Sequence, residues 1–238
     1  MKFDPTLCVT EIRTNRQNEG GTGFFYKKYD ELYLITNRHV IVDEKENYKP
    51  NEIYLRVYRN HPIRLYDEKG NPIWFIHPKF EFDENKEPIP DVVAIPLKTT
   101  ENWKNIRYFS SNELPPKKDF ENLYIPSSES LDVVGYDYYT PGVKFHSVWL
   151  NTKYGESYQN KPQFLVKGKL YPGCSGSPVL SLSTHLKYST NFLKPPVLLG
   201  IYGGPLRILS SVYIEESDLN IVWYSWLIEE ILTSKKRE

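Results

Sequence analysis

The sequence predicts an all-β chain that closes on a single α-helix, and three observations carry that expectation. Apolar residues come in short runs punctuated by Gly, Pro, Asn and Asp, the pattern of strands joined by turns. Tyrosine, phenylalanine and proline are abundant, at 19, 11 and 18 residues, which favours strands and turns over helices. Only near the C-terminus does the apolar period change from two to that of a helix.

Taken in order, residues 22–26 and 31–36 flank a polar turn at 27–30, a hairpin signature. Residues 53–58 alternate with period two and place Ile53, Leu55 and Val57 on one face. Residues 63–66 and 73–76 bracket the turn Asp67-Glu68-Lys69-Gly70-Asn71. A charged, proline-containing loop at 78–90 then delivers the chain to Asp91-Val92-Val93-Ala94-Ile95-Pro96-Leu97. That run is nearly all apolar and suits a strand buried on both faces. Residues 98–122 are polar overall, carry Pro115-Pro116 and form the best linker candidate. Strands resume at 131–136, 143–150, 163–167, 178–182 and 197–202, with 183–196 a loop or loose hairpin. Trp223, Trp226, Leu227, Glu230 and Ile231 fall at helical spacing, and Lys235-Lys236-Arg237 would complement the negative end of the helix dipole.

Length and charge narrow the function classes. A chain of 238 residues can bury one sizeable core or two smaller ones. Lysine plus arginine equals aspartate plus glutamate, 30 each, which argues against a partner held by phosphate neutralisation. No apolar run is long enough to span a bilayer, so neither a nucleic acid nor a membrane is expected. Two cysteines, Cys8 and Cys174, cannot build a disulfide framework, and the N-terminus lacks a signal-peptide core. A reducing, cytoplasmic setting is the expectation.

Three segments carry chemistry, in the order His, Asp, Ser. In Tyr171-Pro172-Gly173-Cys174-Ser175-Gly176-Ser177-Pro178 a serine lies between glycines that permit a sharp turn and close approach of a substrate. In that geometry the N–H groups of Gly173 and Ser175 can point at one oxygen. The plainer reading is a glycine-rich hairpin. In Thr36-Asn37-Arg38-His39-Val40-Ile41 a histidine follows a strand end; a serine hydroxyl needs such a base, although a histidine there is also a common structural residue. In Pro90-Asp91-Val92-Val93 a carboxylate stands at the mouth of an apolar strand, either solvated or poised to orient a histidine.

Together these segments resemble the trypsin-like (chymotrypsin-fold) serine peptidases, especially the bacterial Deg-type branch. The matching features are Gly21-Thr22-Gly23-Phe24-Phe25, Thr36-Asn37-Arg38-His39-Val40, Asp91-Val92-Val93-Ala94-Ile95, Val134-Gly135-Tyr136, Gly173-Cys174-Ser175-Gly176-Ser177-Pro178 and Leu199-Gly200-Ile201. They run in family order from about residue 20 to 205. The resemblance implies two antiparallel six-stranded β-barrels, residues 1–110 carrying His39 and Asp91, and residues 111–238 carrying Ser175 and the C-terminal helix. It implies Ser175 as nucleophile, His39 as general base then acid, Asp91 as orienter, and Gly173 and Ser175 N–H as an oxyanion hole. Gly203-Gly204-Pro205 would be the edge on which a substrate backbone adds as a strand. Lys169 falls near where trypsin-type members place a charged pocket floor, which suggests an acidic side chain before the scissile bond; the other reading is a solvated lysine at a strand end.

Cys174 stands where digestive members carry an aspartate, which argues against their N-terminal activation switch, and it is read as a small, partly buried residue. The implied activity is endopeptidase cleavage of protein or peptide substrates through an acyl-enzyme, with neither cofactor nor metal. The alternative is a catalytically dormant binding or sensing module switched on by a regulatory partner. No PDZ-like segment is expected after the second barrel. An α/β-hydrolase is disfavoured, because it would need strand–helix alternation and the order Ser, Asp, His.

Overall fold

A computed structural model describes residues 3–15, 20–42, 48–83, 87–97, 106–115, 117, 123–126, 129–182, 187–188, 191–192, 196–209 and 214–238. Its first half contains β1 (Val9–Arg13), β2 (Gly20–Lys28), β3 (Glu31–Thr36), the one-turn helix α1 (Arg38–Ile41), β4 (Glu52–Leu55), β5 (Tyr58–Arg64) and β6 (Phe75–Ile76). A small hairpin of β7 (Glu81–Phe82) and β8 (Pro88–Ile89) precedes β9 (Val93–Leu97). Seven of these strands form one antiparallel sheet in the order β5-β4-β1-β2-β3-β9-β6. The expected closed six-stranded barrel is therefore corrected to an open seven-stranded sheet. Its β6 edge is taken instead by the end of the chain: Ile76 N–H donates to Lys236 C=O at 2.8 Å and Phe75 bridges Arg237.

The second half contains β10 (Leu123–Tyr124), β11 (Ser130–Tyr136), β12 (Val143–Leu150), β13 (Gln163–Lys167), β14 (Pro178–Ser181), β15 (Lys187–Tyr188), β16 (Asn191–Phe192), β17 (Val197–Leu209), β18 (Ile214–Tyr224) and the helix α2 (Trp226–Ser234). Six of them close a barrel in the order β11-β12-β13-β18-β17-β14. Here the six-stranded expectation holds.

Local differences have physical causes. The alternation read over 53–58 stops at Leu55, because Leu55 pairs with Tyr58 across a tight turn at Arg56 and Val57. Val57 is consequently 47 % exposed instead of sharing the buried face of Ile53 and Leu55. Trp223 belongs to β18, paired with Gln163 and Ile201, so its fit to the helical spacing of α2 is a coincidence of burial across the strand–helix join. The loop read at 78–90 contains the β7–β8 hairpin, and the stretch 183–196 contains β15 and β16, while 84–86, 183–186, 189–190 and 193–195 lie outside the described residues. Much of the linker call also lies there, namely 98–105, 116 and 118–122.

The core has three parts, and their division explains why β3 and β9 lack alternation. Phe25, Leu34, Val93 and Ile95 point into the interior of the sheet with Ile12, Ile53, Leu55 and Trp74. Their neighbours Phe24, Tyr26, Ile35 and Ala94 point the other way and pack with Val134, Leu180, Ile201 and Trp223 of the barrel and Leu227, Ile228 and Ile231 of α2. The barrel keeps its own interior of Leu131, Val148, Phe164, Val166, Val179 and Val222. Strands between two cores must be apolar on both faces.

Candidate active site

The segment Thr36-Asn37-Arg38-His39-Val40 leaves β3 and immediately turns into α1, and each side chain has a separate anchor. Thr36 Oγ1 donates to Thr22 C=O on β2 at 2.8 Å. Asn37 Nδ2 donates to Asp91 C=O at 2.6 Å. Arg38 is buried, 2 % exposed, in an ion pair with Glu238. Val40 packs against Gly21, where an added Cβ would lie 2.7 Å from Val40 Cγ2. His39 alone faces outward, its side chain 41 % exposed.

Asp91 sits just before β9, which pairs with β3, so the ladder brings it beside His39. Its side chain is 9 % exposed and holds the histidine twice. One carboxylate oxygen bonds His39 Nδ1, and the other accepts the His39 backbone N–H at 3.1 Å. A carboxylate on Nδ1 favours the tautomer with a bare Nε2, the nitrogen able to accept a proton.

Ser175 comes from the barrel, in the loop that leads into β14, and β2 holds that loop. Thr22 N–H donates to Ser175 C=O at 2.8 Å. Thr22 Oγ1 donates to Gly173 C=O and accepts from Tyr136 N–H, each at 2.9 Å. The glycine of β2 that Val40 packs against is also approached by Ser175: a Cβ on Gly21 would meet Ser175 O at 2.8 Å. The structure thus brings His39, Asp91 and Ser175 to one end of β2 and β3. Among the described residues Ser175 Oγ makes no hydrogen bond; serine–base bonds are often long before substrate arrives.

Backbone bonding within the loop distinguishes two donors. The N–H groups of Cys174, Gly176 and Ser177 bond to Tyr171, Tyr202 and Cys174 carbonyls at 3.1, 2.9 and 3.0 Å. Those of Gly173 and Ser175 have no backbone acceptor among the described residues. Tyr138 N–H takes Pro172 C=O at 3.1 Å, so the opposite edge of that trans peptide, Gly173 N–H, points away from Tyr138. Gly173 has φ +100° and the Tyr138 ring over it, 3.0 Å from where a Cβ would stand. Gly176, at φ +86°, leaves only 2.1 Å between a Cβ and Thr22 O, so a larger residue would push the loop off β2.

Comparison with solved structures places the chain at the level of fold. A serine endoprotease from Yersinia pestis matches with TM-score 0.55 at 11 % identity, over 97 % of this chain and 63 % of its own. Rv3671c from M. tuberculosis H37Rv, as a serine-to-alanine mutant in an inactive form, matches with TM-score 0.52 at 14 % identity, over 97 % of this chain and 87 % of its own. The chain has a serine-protease fold. No protein-family profile and no curated sequence matches it.

Within that fold, the other expected positions are placed as follows. Gly203 and Gly204 lie on β17 just beyond the Tyr202 that pairs with the Ser175 loop, and β14 accompanies β17 only along Val197 to Ile201. Gly203 backs onto the Trp223 indole, leaving 2.7 Å between a Cβ and Nε1. Lys169 is exposed, its ammonium 5.5 Å from the centre of the Tyr171 ring. Among the described residues no group of three His, Cys, Asp or Glu is placed to hold a metal, and no helix is long and apolar enough to cross a membrane.

Thr22, Tyr138 and Asn37 were not singled out by sequence reasoning. Only the two glycines around Thr22 hinted that β2 is closely approached there. Tyr138 gives no local signal, although its hydroxyl donates to Gly20 C=O at 2.8 Å and fastens the barrel hairpin to β2.

Cys174 is wholly buried, not partly so. Burial pushes its thiol up to about 11 and that of Cys8 up to about 12. Only the thiolate reacts, so iodoacetamide at pH 8 is expected to leave both cysteines of the native protein unmodified and to alkylate both after denaturation. Mass spectrometry of the intact chain checks this; rapid native alkylation of Cys174 would mean that the Ser175 loop opens.

Proposed function

We propose that this chain is a serine endopeptidase cleaving protein or peptide substrates through an acyl-enzyme. The observation that carries the reading is the double hold of Asp91 on His39, built on the β3–β9 ladder beside β2, the strand that fixes the Ser175 loop. Residues 1–110 supply the base and its orienter, and residues 111–238 supply the nucleophile.

Ser175 Oγ attacks the substrate carbonyl as His39 Nε2 takes its proton, and Asp91 stabilises the resulting imidazolium. The N–H groups of Gly173 and Ser175 bond the oxyanion of the tetrahedral intermediate. His39 then returns its proton to the leaving amine, and water, activated by the same imidazole, releases the acid and restores Ser175. Gly203 and Gly204 offer backbone to an extended substrate, which adds as a strand along β17.

A fluorophosphonate probe tests the reading. Wild-type chain is expected to label on Ser175, located by peptide mapping, and Ser175→Ala to remain unlabelled; cleavage of a casein-derived peptide mixture should follow the same pattern. Unlabelled wild type that also leaves the peptides intact would overturn the proposal in favour of a dormant binding module.

A further inference from the structure

The stretch Lys236-Arg237-Glu238 leaves α2, crosses from the barrel to the sheet and lies along β6. Beyond the two backbone links already given, Lys236 Nζ donates to Pro78 C=O at 3.1 Å. Glu238 then turns its carboxylate inward. Its Oε2 accepts from Arg38 Nε and from Trp74 Nε1, each at 2.8 Å, while its Oε1 accepts from the far nitrogen of the same guanidinium. The Arg38 guanidinium also lies against two rings, 5.7 Å from the centre of Phe80 and 5.2 Å from that of Phe82.

Arg38 is the residue before His39 and begins α1, a helix of four residues. One turn has little stiffness of its own, so anchors outside it decide where its residues lie. Of the four side chains on that turn, Val40 and Ile41 are held by apolar packing and Arg38 by charge. Removing the Glu238 charge weakens the hold on this buried guanidinium, which then shifts toward water and draws the N-terminal end of α1 with it. The first group displaced is the next residue, whose backbone N–H and ring are both bonded to Asp91.

We propose that Glu238 is a positioning residue for His39, acting through Arg38, so that the segment 236–238 sets the rate of chemistry at Ser175. The proposal rests on the endopeptidase reading for its consequence and on the contacts above for its mechanism, and the two can be tested apart.

The wild-type chain is compared with Glu238→Gln and with the double variant Arg38→Met/Glu238→Gln. The first readout is hydrogen exchange of the His39 amide, which needs no activity. Exchange in Glu238→Gln is expected to be at least about tenfold faster than wild type, with barrel amides such as Phe164 unchanged, and to fall back toward wild type in the double variant, where the buried guanidinium is gone. The second readout is fluorophosphonate labelling, separated into amplitude and rate constant. Small displacements of a reacting group cost up to about 10²-fold, so Glu238→Gln should keep the amplitude and label roughly ten- to a hundredfold more slowly. His39 exchange equal to wild type would overturn the proposal. So would a fall in amplitude at unchanged rate, which is the signature of misfolding alone. A double variant exchanging as fast as Glu238→Gln would overturn the route through Arg38. Wild type that fails to label would overturn the endopeptidase reading, leaving the exchange comparison to decide the link from Glu238 to His39.

Discussion

Replacing Asp91 by asparagine is expected to lower the rate of peptide hydrolysis by about 10⁴ while leaving the fold in place. The amide can offer one oxygen and one NH₂, whereas the carboxylate meets both His39 N–H groups with acceptors. An NH₂ turned toward the ring selects the opposite tautomer, with the proton on Nε2 and no lone pair for the Ser175 proton. An NH₂ turned toward the backbone meets a donor with a donor. Either way the imidazolium formed during attack loses its counter-charge in a site where Asp91 is only 6 % exposed. Steady-state kinetics with thermal melting decide the matter: a loss below tenfold at unchanged melting temperature would remove Asp91 from the proposed triad.

The next largest effect is expected from Thr22→Val, a change that keeps shape and deletes one oxygen. Thr22 is fully buried, and its hydroxyl is both acceptor for Tyr136 N–H and donor to Gly173 C=O. Valine strands both partners, at about 1–3 kcal/mol for each buried group left unsatisfied. The catalytic consequence is separate from the stability cost. Gly173 C=O is no longer drawn toward β2, so Gly173 loses an anchor on one side while its N–H is presented by the peptide on the other, and loss of one oxyanion donor costs about 10²–10³ in rate. Thr22→Ser keeps the hydroxyl and should stay within a few-fold of wild type. If Thr22→Val melts lower yet turns over as fast as Thr22→Ser, the threonine is a structural bond between the halves and does not set the oxyanion geometry.

Much of this was legible from residue types. The hairpin of β2 and β3, the two-faced burial of β9 and the strands β11, β12 and β13 follow from local patterns, because a strand's neighbours are written into its alternation or lack of it. His39, Asp91 and Ser175 drew notice as candidates because their order and flanking glycines and apolar runs are informative even at a distance. Thr22 and Tyr138 did not, since their partners lie 114 or more residues away and any hydrogen-bonding residue could have stood in either place. Openness of the first sheet was equally hidden: it depends on where the end of the chain comes to rest, and nothing in Lys236-Arg237-Glu238 declares a partner. Lys169, a charge counted back from Ser175, has its ammonium near the half-buried Tyr171 ring, a contact that no local pattern announced.

The shared core behind β2, β3 and β9 has a consequence for how the molecule holds together. Phe24, Tyr26, Ile35 and Ala94 are covered by residues of the barrel and of α2, so neither half owns a complete interior. A cut between residues 110 and 111 would leave each fragment with a wet apolar wall, which opposes separation of the halves. Among the described residues, the elements that carry the histidine and the serine are therefore tied together through one shared core.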